Sequence, residues 1–243
     1  IRRQRVLAEL SRADHILAPS RFLKQFYLGF GVDPDRIRHS DYGTEVLSAP
    51  PGASPQHNGT IRFAFLGRLS PEKGLHLLIQ AFNELDSRAE LTIYGCPDPY
   101  VSRYGEYVRG LARHKGIQFQ NAFAPDRVME ILSKVDVVVV PSMCWENSPL
   151  VIHEAFVAGV PVIVAEAGGM TELVQHGHNG LLFPLGDVQA LRRRMQEVLE
   201  TPGLLRTLRE GIPRVKTLGE NVEELLSLYM SLHDDTKQEG KET

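Results

Sequence analysis

The feature that most constrains how this chain folds is the uninterrupted apolar run Val137-Val138-Val139-Val140. A strand with one wet face alternates apolar and polar residues, whereas a continuous run must be buried on both faces. Burial on both faces needs a helix layer above and below, the arrangement produced by crossovers between parallel strands. The rest of the sequence supplies the parts. Strand-like runs at His15–Ala18, Ile61–Leu66, Glu90–Tyr94, Ile117–Gln120, Asp136–Val140, Pro161–Ala165 and Gly180–Phe183 are separated by helical patterns. These cover Arg21–Phe30, Leu75–Leu85, Val101–His114, Pro125–Ser133, Pro149–Ala158, Met170–His176, Asp187–Glu200, Leu204–Arg209 and Asn221–Leu232. In the second, Leu75, Leu78, Ile79 and Phe82 make one stripe at i, i+3, i+4 and i+7. The reading is an α/β protein built on a parallel sheet.

Charge and composition exclude several functions. The 243 residues hold 27 Lys and Arg against 30 Asp and Glu, 27 − 30 = −3, so no broadly basic nucleic-acid binder is expected. No apolar run approaches the roughly eighteen residues of a membrane-spanning helix. The two cysteines, Cys96 and Cys144, lack zinc or disulfide spacing and are expected as buried, reduced thiols of a cytoplasmic protein. The nine histidines show no H-E-x-x-H spacing, so no metal is expected. A G-x-S-x-G elbow, a Walker loop and a G-x-G-x-x-G after a strand are all missing.

The chain divides by composition. Residues 45–60, rich in Pro, Gly and Ser, read as a linker. Residues 1–44 hold too few elements for a core, and either dock on the main domain or end another one. Residues 61–218 form the main domain, and 219–243 a C-terminal helix with a polar tail, Asp234–Thr243, expected to fray. The start at Ile1, within a basic helical pattern carrying Arg2, Arg3 and Arg5, reads as a piece of something longer.

In an open parallel sheet, ligands bind at the carboxyl ends of the strands. After Ile61–Leu66 comes Gly67-Arg68-Leu69-Ser70-Pro71-Glu72-Lys73-Gly74, opening into a helix. Gly67 allows close backbone approach. Arg68 and Lys73 oppose the helix dipole at that end, poorly placed for stability and well placed for an anion. After the valine run comes Pro141-Ser142-Met143-Cys144-Trp145-Glu146-Asn147-Ser148-Pro149-Leu150, with Ser148 expected as helix N-cap and Pro149 as its first residue. Glu146 sits in the loop, and Glu154 follows about a turn and a half into the helix, facing the same cleft. His153 reads as a packed helix residue. Gly168-Gly169 opens another short helix. Taken singly, each of these is also compatible with a solvated turn. Phe22, Phe26 and Phe30, at i, i+4 and i+8, are expected to pack inward. The alternative is a surface-seeking face with Arg2, Arg3 and Arg5, giving peripheral membrane contact.

Taken in order, Gly67-Arg68-Leu-x-x-Glu72-Lys73-Gly74, Tyr94-Gly95, Pro141-Ser142, Glu146-x7-Glu154, Pro161-Val162 and Gly168-Gly169 resemble the donor half of GT-B glycosyltransferases. The nearest resemblance is to family-four retaining enzymes, which include glycogen-synthase-like and mannosyltransferase relatives. It runs from about Ala13 to about Leu232. Ala13–Ser20 resembles the last strand of that family's N-terminal domain, and Arg36–Gly43 the approach to its interdomain linker.

The resemblance implies a Rossmann-like parallel sheet with helices on both faces, plus a remnant of the N-terminal domain. It implies a hexosyltransferase that moves a sugar from a UDP- or GDP-linked donor, with retention, to a glycan, lipid-linked or small-molecule acceptor. Retention in that family is ascribed to a front-face mechanism with the leaving phosphate as base. Arg68 and Lys73 would hold the diphosphate, Glu146 the donor sugar and Glu154 the ribose hydroxyls. Asn147, Ser148, Pro149 and Leu150 would give backbone contacts, and Gly67 would let the backbone approach. No metal or other cofactor is implied, since the cations and helix dipoles neutralise the diphosphate. The setting would be cytoplasmic or the inner membrane face. Gln120-Asn121-Ala122, where the family usually carries glycine, is expected to alter the base pocket. With most of an N-terminal domain absent, weak donor binding and little transfer are expected of this chain. A non-catalytic nucleotide-sugar-binding module and a GT-B-fold sugar-nucleotide epimerase remain as alternatives.

Overall fold

A computed structural model describes residues 2–45, 59–95 and 102–239. The chain splits into two compact units, one made of Ile1–Val46 with Val215–Thr243, the other of Leu47–Arg214. Most of the expected linker, residues 46–58, lies outside the described residues, as do Cys96, Val101 and the last four positions.

The first unit begins with α1 (Arg2–Leu10), β1 (Ile16–Ala18), α2 (Arg21–Leu28) and β2 (Ile37–His39). The two strands pair in parallel, Ile16 opposite Ile37 and Ala18 opposite His39. β2 was not expected, because Ile-Arg-His carries neither an apolar run nor an alternation to mark it. Ser20 caps α2, its Oγ accepting the Leu23 N–H at 3.2 Å. The expected inward packing of the phenylalanines is corrected: α2 has no buried residue and Phe26 is 40% exposed. Two strands are too narrow to cover a helix face. The rings instead pack along the helix, Phe26 edge-on to Phe30 at 4.7 Å and tilted on Phe22 at 6.3 Å.

The second unit contains β3 (Ile61–Leu66), a 3-10 turn at Pro71–Lys73, α3 (Leu75–Phe82), β4 (Ala89–Tyr94), α4 (Ser102–Leu111) and β5 (Ile117–Gln120). A second 3-10 turn, Pro125–Arg127, leads into α5 (Val128–Leu132), then β6 (Val137–Val140), α6 (Leu150–Val157) and β7 (Val162–Ala165). α7 (Met170–Leu173), β8 (Gly180–Phe183), α8 (Val188–Glu200) and α9 (Leu204–Glu210) complete it. All six strands are parallel, in the order β5-β4-β3-β6-β7-β8. Every residue of β6 and β7 is buried, as the valine run requires. The α/β class and the parallel, Rossmann-like sheet are as expected. α7 stops short of the expected His176 because Asn179 intervenes, donating to Leu173 O at 3.0 Å and accepting the Gln175 N–H at 2.8 Å.

The strand order decides where a ligand can sit. From β3 the chain runs outward through β4 and β5, then returns to β6 on the other side of β3. The loops after β3 and β6 therefore diverge over a crevice, the topological switch point of an open sheet. At the opposite end of the sheet, the fully buried Asp136 accepts from the Arg62 backbone N–H at 2.9 Å, Arg62 Nε at 3.1 Å and Arg209 Nη2 at 3.2 Å. That cluster is satisfied and structural.

At the switch-point end, the loops touch backbone to backbone. A Cβ on Gly95 would lie 2.0 Å from Gly67 O, so the β4 end can press against the β3 loop only as glycine. Gly74, at φ +68°, packs so closely that a Cβ there would lie 1.9 Å from Pro141 O. Beside it, the Met143 N–H donates to Glu72 O at 2.7 Å.

α10 (Leu218–Glu239) rejoins the first unit. Thr44 bridges Thr217, and a capping box starts the helix: the Thr217 N–H donates to Glu220 Oε2 at 2.8 Å, the Glu220 N–H to Thr217 Oγ1 at 3.1 Å. The helix thus begins before the expected Asn221 and its assigned span runs to Glu239, into the expected polar tail. Among the described residues, no helix is long and apolar enough to cross a membrane.

Gly186 also has positive φ, +77°, but nothing lies within 4 Å of its Cβ position. Thermal melts of Gly186→Ala are expected to register only the left-handed penalty, about 1 kcal/mol. Gly74→Ala must also push the β3 and β6 loops apart, and is expected to cost at least ~2 kcal/mol more.

Candidate functional site

The switch-point crevice brings together residues that are far apart in sequence. Lys73 ends the 3-10 turn after β3, and Glu146 lies in the loop after β6. Lys73 Nζ donates to Glu146 Oε1 at 2.6 Å, with the two side chains 29% and 16% exposed. Ser142 Oγ, buried, donates to the same oxygen at 2.8 Å, and Cys144 Sγ approaches it at 3.7 Å. All three donors converge on Oε1, so Oε2 has none among the described residues. Burial, with the neighbouring Glu146 carboxylate as the second cause, pushes the Cys144 thiol up, so it stays protonated and can donate. Ser70, also buried, donates its Oγ to Glu72 Oε1 at 2.6 Å and fixes the turn that carries Lys73.

The β7 loop closes the far side. The Gly169 N–H donates to Glu146 O at 2.7 Å, tying the backbone of the β6 loop from below. On the near side, Tyr94 at the end of β4 meets Phe123 after β5 edge-on, with ring centroids 5.8 Å apart. Gln120-Asn121-Ala122 is exposed just before Phe123.

One helix start facing this crevice is open: α6 begins from Pro149 with no side-chain cap, whereas α3, beginning from Gly74, has its His76 N–H bonded to Tyr104 Oη at 3.2 Å. At the sheet edge, by contrast, α8 is capped by Asp187, whose Oδ1 accepts the Ala190 N–H at 2.8 Å. Open N-termini leave backbone N–H groups and a partial positive charge available to an anion. The expected cap is thereby corrected. Pro149, not Ser148, is the N-cap, because its extended backbone, φ −65° and ψ 119°, delays the helix to Leu150. The buried Ser148 Oγ pairs instead with His153 Nε2 at 2.7 Å, and His153 is a packed residue as expected.

Of the other expected site residues, Gly67 adjoins Gly95, and Arg68 is exposed on the same loop. Asn147 is half-buried, and Leu150 is exposed at the first turn of α6. Glu154 is half-buried in α6, and its carboxylate has no hydrogen-bonding or cationic partner among the described residues. Its burial alone raises its carboxyl above the ordinary range. The residue reading overlooked Ser142 as a donor to Glu146 and treated Cys144 only as a buried thiol; the Pro-Ser step ending the valine run was the available signal. Among the described residues, no three His, Cys, Asp or Glu side chains are grouped as metal ligands.

Sheet order, an open helix start and a cation–carboxylate pair define a doubly wound α/β unit with its polar chemistry gathered at the switch point. The chain belongs to the glycosyl transferases group 1 family, whose sequence model matches residues 52–215. It is 32% identical over 200 residues to D-inositol 3-phosphate glycosyltransferase of Acidothermus cellulolyticus, covering 75% of this chain and 44% of that protein. It is 30% identical to lipopolysaccharide 1,2-N-acetylglucosaminetransferase of Salmonella typhimurium, covering 68% of this chain and 47% of that protein. The chain thus spans less than half the length of these two relatives. The crystal structure of Anabaena Alr3699/HepE in complex with UDP and glucose superposes with a TM-score of 0.80 at 22% identity, over 90% of this chain and 64% of that one. Sucrose-phosphate synthase from Thermosynechococcus elongatus superposes with a TM-score of 0.81 at 26% identity, over 94% and 61%.

The raised Glu154 carboxyl sets the sign of a stability effect. A group whose folded pKa lies above its unfolded value stabilises below the unfolded pKa, and that contribution is lost as pH rises through the folded one. At neutral pH, ionised Glu154 is therefore a cost to the fold. Glu154→Gln is expected to raise the melting temperature at pH 7.5, and the gain should vanish near pH 4. An equal change at both pH values would contradict this assignment.

Proposed function

We propose that this chain carries the donor site of a retaining glycosyltransferase that moves a sugar from a UDP- or GDP-linked donor to a glycan, lipid-linked or small-molecule acceptor. The observation that carries the reading is the Lys73–Glu146 pair at 2.6 Å across the switch point, beside the uncapped start of α6. The relatives' names support sugar transfer, and one structural neighbour was crystallised with UDP and glucose.

In this reading the diphosphate lies between the β3 and β6 loops. As the bond from the anomeric carbon to the leaving phosphate oxygen breaks, that oxygen gains charge. Lys73, Arg68 and the open N–H groups of α6 stabilise it without requiring a metal. The acceptor hydroxyl attacks from the face the phosphate leaves, and its proton passes to the leaving phosphate oxygen. Glu146 keeps Lys73 in place through Oε1 and offers Oε2 to a donor-sugar hydroxyl. Glu154, ionised at a cost to the fold, accepts from the ribose hydroxyls and is compensated when they arrive. Asn147, Ser148, Pro149 and Leu150 contribute backbone groups, and Gly67 lets the β3 loop approach. A cytoplasmic setting fits a nucleotide-sugar donor.

Calorimetric titration with UDP and GDP tests this reading. Binding of one nucleotide is expected, weakened at least tenfold (about 1.4 kcal/mol) by Lys73→Ala and by Arg68→Ala. Tight binding insensitive to both substitutions would place the diphosphate elsewhere. A non-catalytic binding module would show the same binding but no transfer in the intact parent protein.

A further inference from the structure

The three donors on Glu146 Oε1 differ in how firmly they are held. Lys73 Nζ, at 2.6 Å, ends a long side chain that is 29% exposed. The Cys144 thiol, at 3.7 Å, is a weak donor on a half-buried residue. Ser142 Oγ, at 2.8 Å, ends a short side chain on a residue that is 1% exposed. The backbone that carries it is fixed on both sides. The chain enters from the fully buried β6, Pro141 O packs where a Cβ on Gly74 would lie 1.9 Å away, and the Met143 N–H donates to Glu72 O at 2.7 Å. Among the described residues, Glu146 Oε1 is the one hydrogen-bond partner of the Ser142 hydroxyl. A buried hydroxyl costs free energy once its bond is lost, so this contact resists separation in a way that the partly exposed lysine does not.

A diphosphate between the β3 and β6 loops acts on these donors unequally. Its charge attracts Lys73 and repels the Glu146 carboxylate, so the ion pair that holds Glu146 in the free protein weakens as the lysine turns to phosphate. Ser142 is neutral and buried, and its bond to Oε1 takes no part in that exchange. Resting on the donor-site reading, we propose that Ser142 is a positioning residue for the sugar of the nucleotide donor. It anchors Glu146 through Oε1 when the diphosphate draws Lys73 away, so that Oε2 stays available to a sugar hydroxyl instead of following the lysine. Lys73 then serves the diphosphate, while Ser142 touches neither ligand group and preserves the sugar contact from behind.

Calorimetric titrations of the full chain with UDP, UDP-glucose, GDP and GDP-mannose test this role through the ratio of sugar-nucleotide to matched-diphosphate affinity. Ser142→Ala is expected to lower that ratio about fivefold or more, the size of one lost hydrogen bond, with the diphosphate itself within about twofold of its natural affinity. Glu146→Ala should lower the ratio too, and adding Ser142→Ala to it should change nothing further, because the hydroxyl then has no carboxylate to hold. Ser142→Cys, in reducing buffer, keeps the shape with a weaker donor and carries the same test, at about a twofold loss, if the alanine variant does not fold. A ratio that Ser142→Ala leaves unchanged overturns the positioning role and leaves the donor site standing. Equal weakening of both ligands overturns it too, since the serine would then act only as structure. A further fall in the double variant does the same, because Ser142 would then act apart from Glu146. If no nucleotide binds even at millimolar concentration, the donor-site reading fails and the role of Ser142 falls with it.

Discussion

The site depends on one close approach, the packing of Gly74 on the carbonyl of Pro141. Parallel strands β3 and β6 are neighbours, but their chains leave the sheet in opposite directions at the switch point. Without a Cβ at Gly74, the 3-10 turn can lean onto the β6 loop and place Lys73 within 2.6 Å of Glu146. The bond from Met143 to Glu72 O and that from Gly169 to Glu146 O then lock the loops after β3, β6 and β7 into one surface. Each polar group in the crevice inherits its position from those backbone contacts.

The two ends of the sheet treat charge in opposite ways. At one end, buried Asp136 is saturated by Arg62 and Arg209. At the switch point, α6 starts uncapped, Glu146 Oε2 lacks a donor among the described residues, and Glu154 is desolvated with no countercharge. Groups left incomplete in this way cost stability and gain it back when a ligand completes them. That asymmetry separates a structural cluster from a functional one more reliably than the number of charges in either.

The larger unit was legible in the sequence because its signals are strong and local. The valine run forces burial on both faces, and Ile61–Leu66, Ile117–Gln120 and Gly180–Phe183 are bounded by turn residues that end them where the structure does. β2 was hidden because Ile-Arg-His has no pattern and forms only when β1 offers an edge. The start of α10 was readable, since Thr217 and Glu220 stand in capping-box spacing, but the apolar periodicity drew the boundary later. Ser148 looked like a cap because nothing in the sequence reveals that buried His153 would claim its hydroxyl. The pairing of Lys73 with Glu146 lay beyond any local pattern, for 73 residues separate the two and only the strand order brings them together.

The most direct measurement is a crystal structure of this chain soaked with UDP. The account predicts the diphosphate between the β3 and β6 loops, within hydrogen-bond distance of Lys73 Nζ and the Arg68 guanidinium, the ribose hydroxyls on Glu154 and the Gly74–Pro141 contact unmoved. A nucleotide bound elsewhere, or one that left Lys73 paired with Glu146 and out of reach of phosphate, would contradict it.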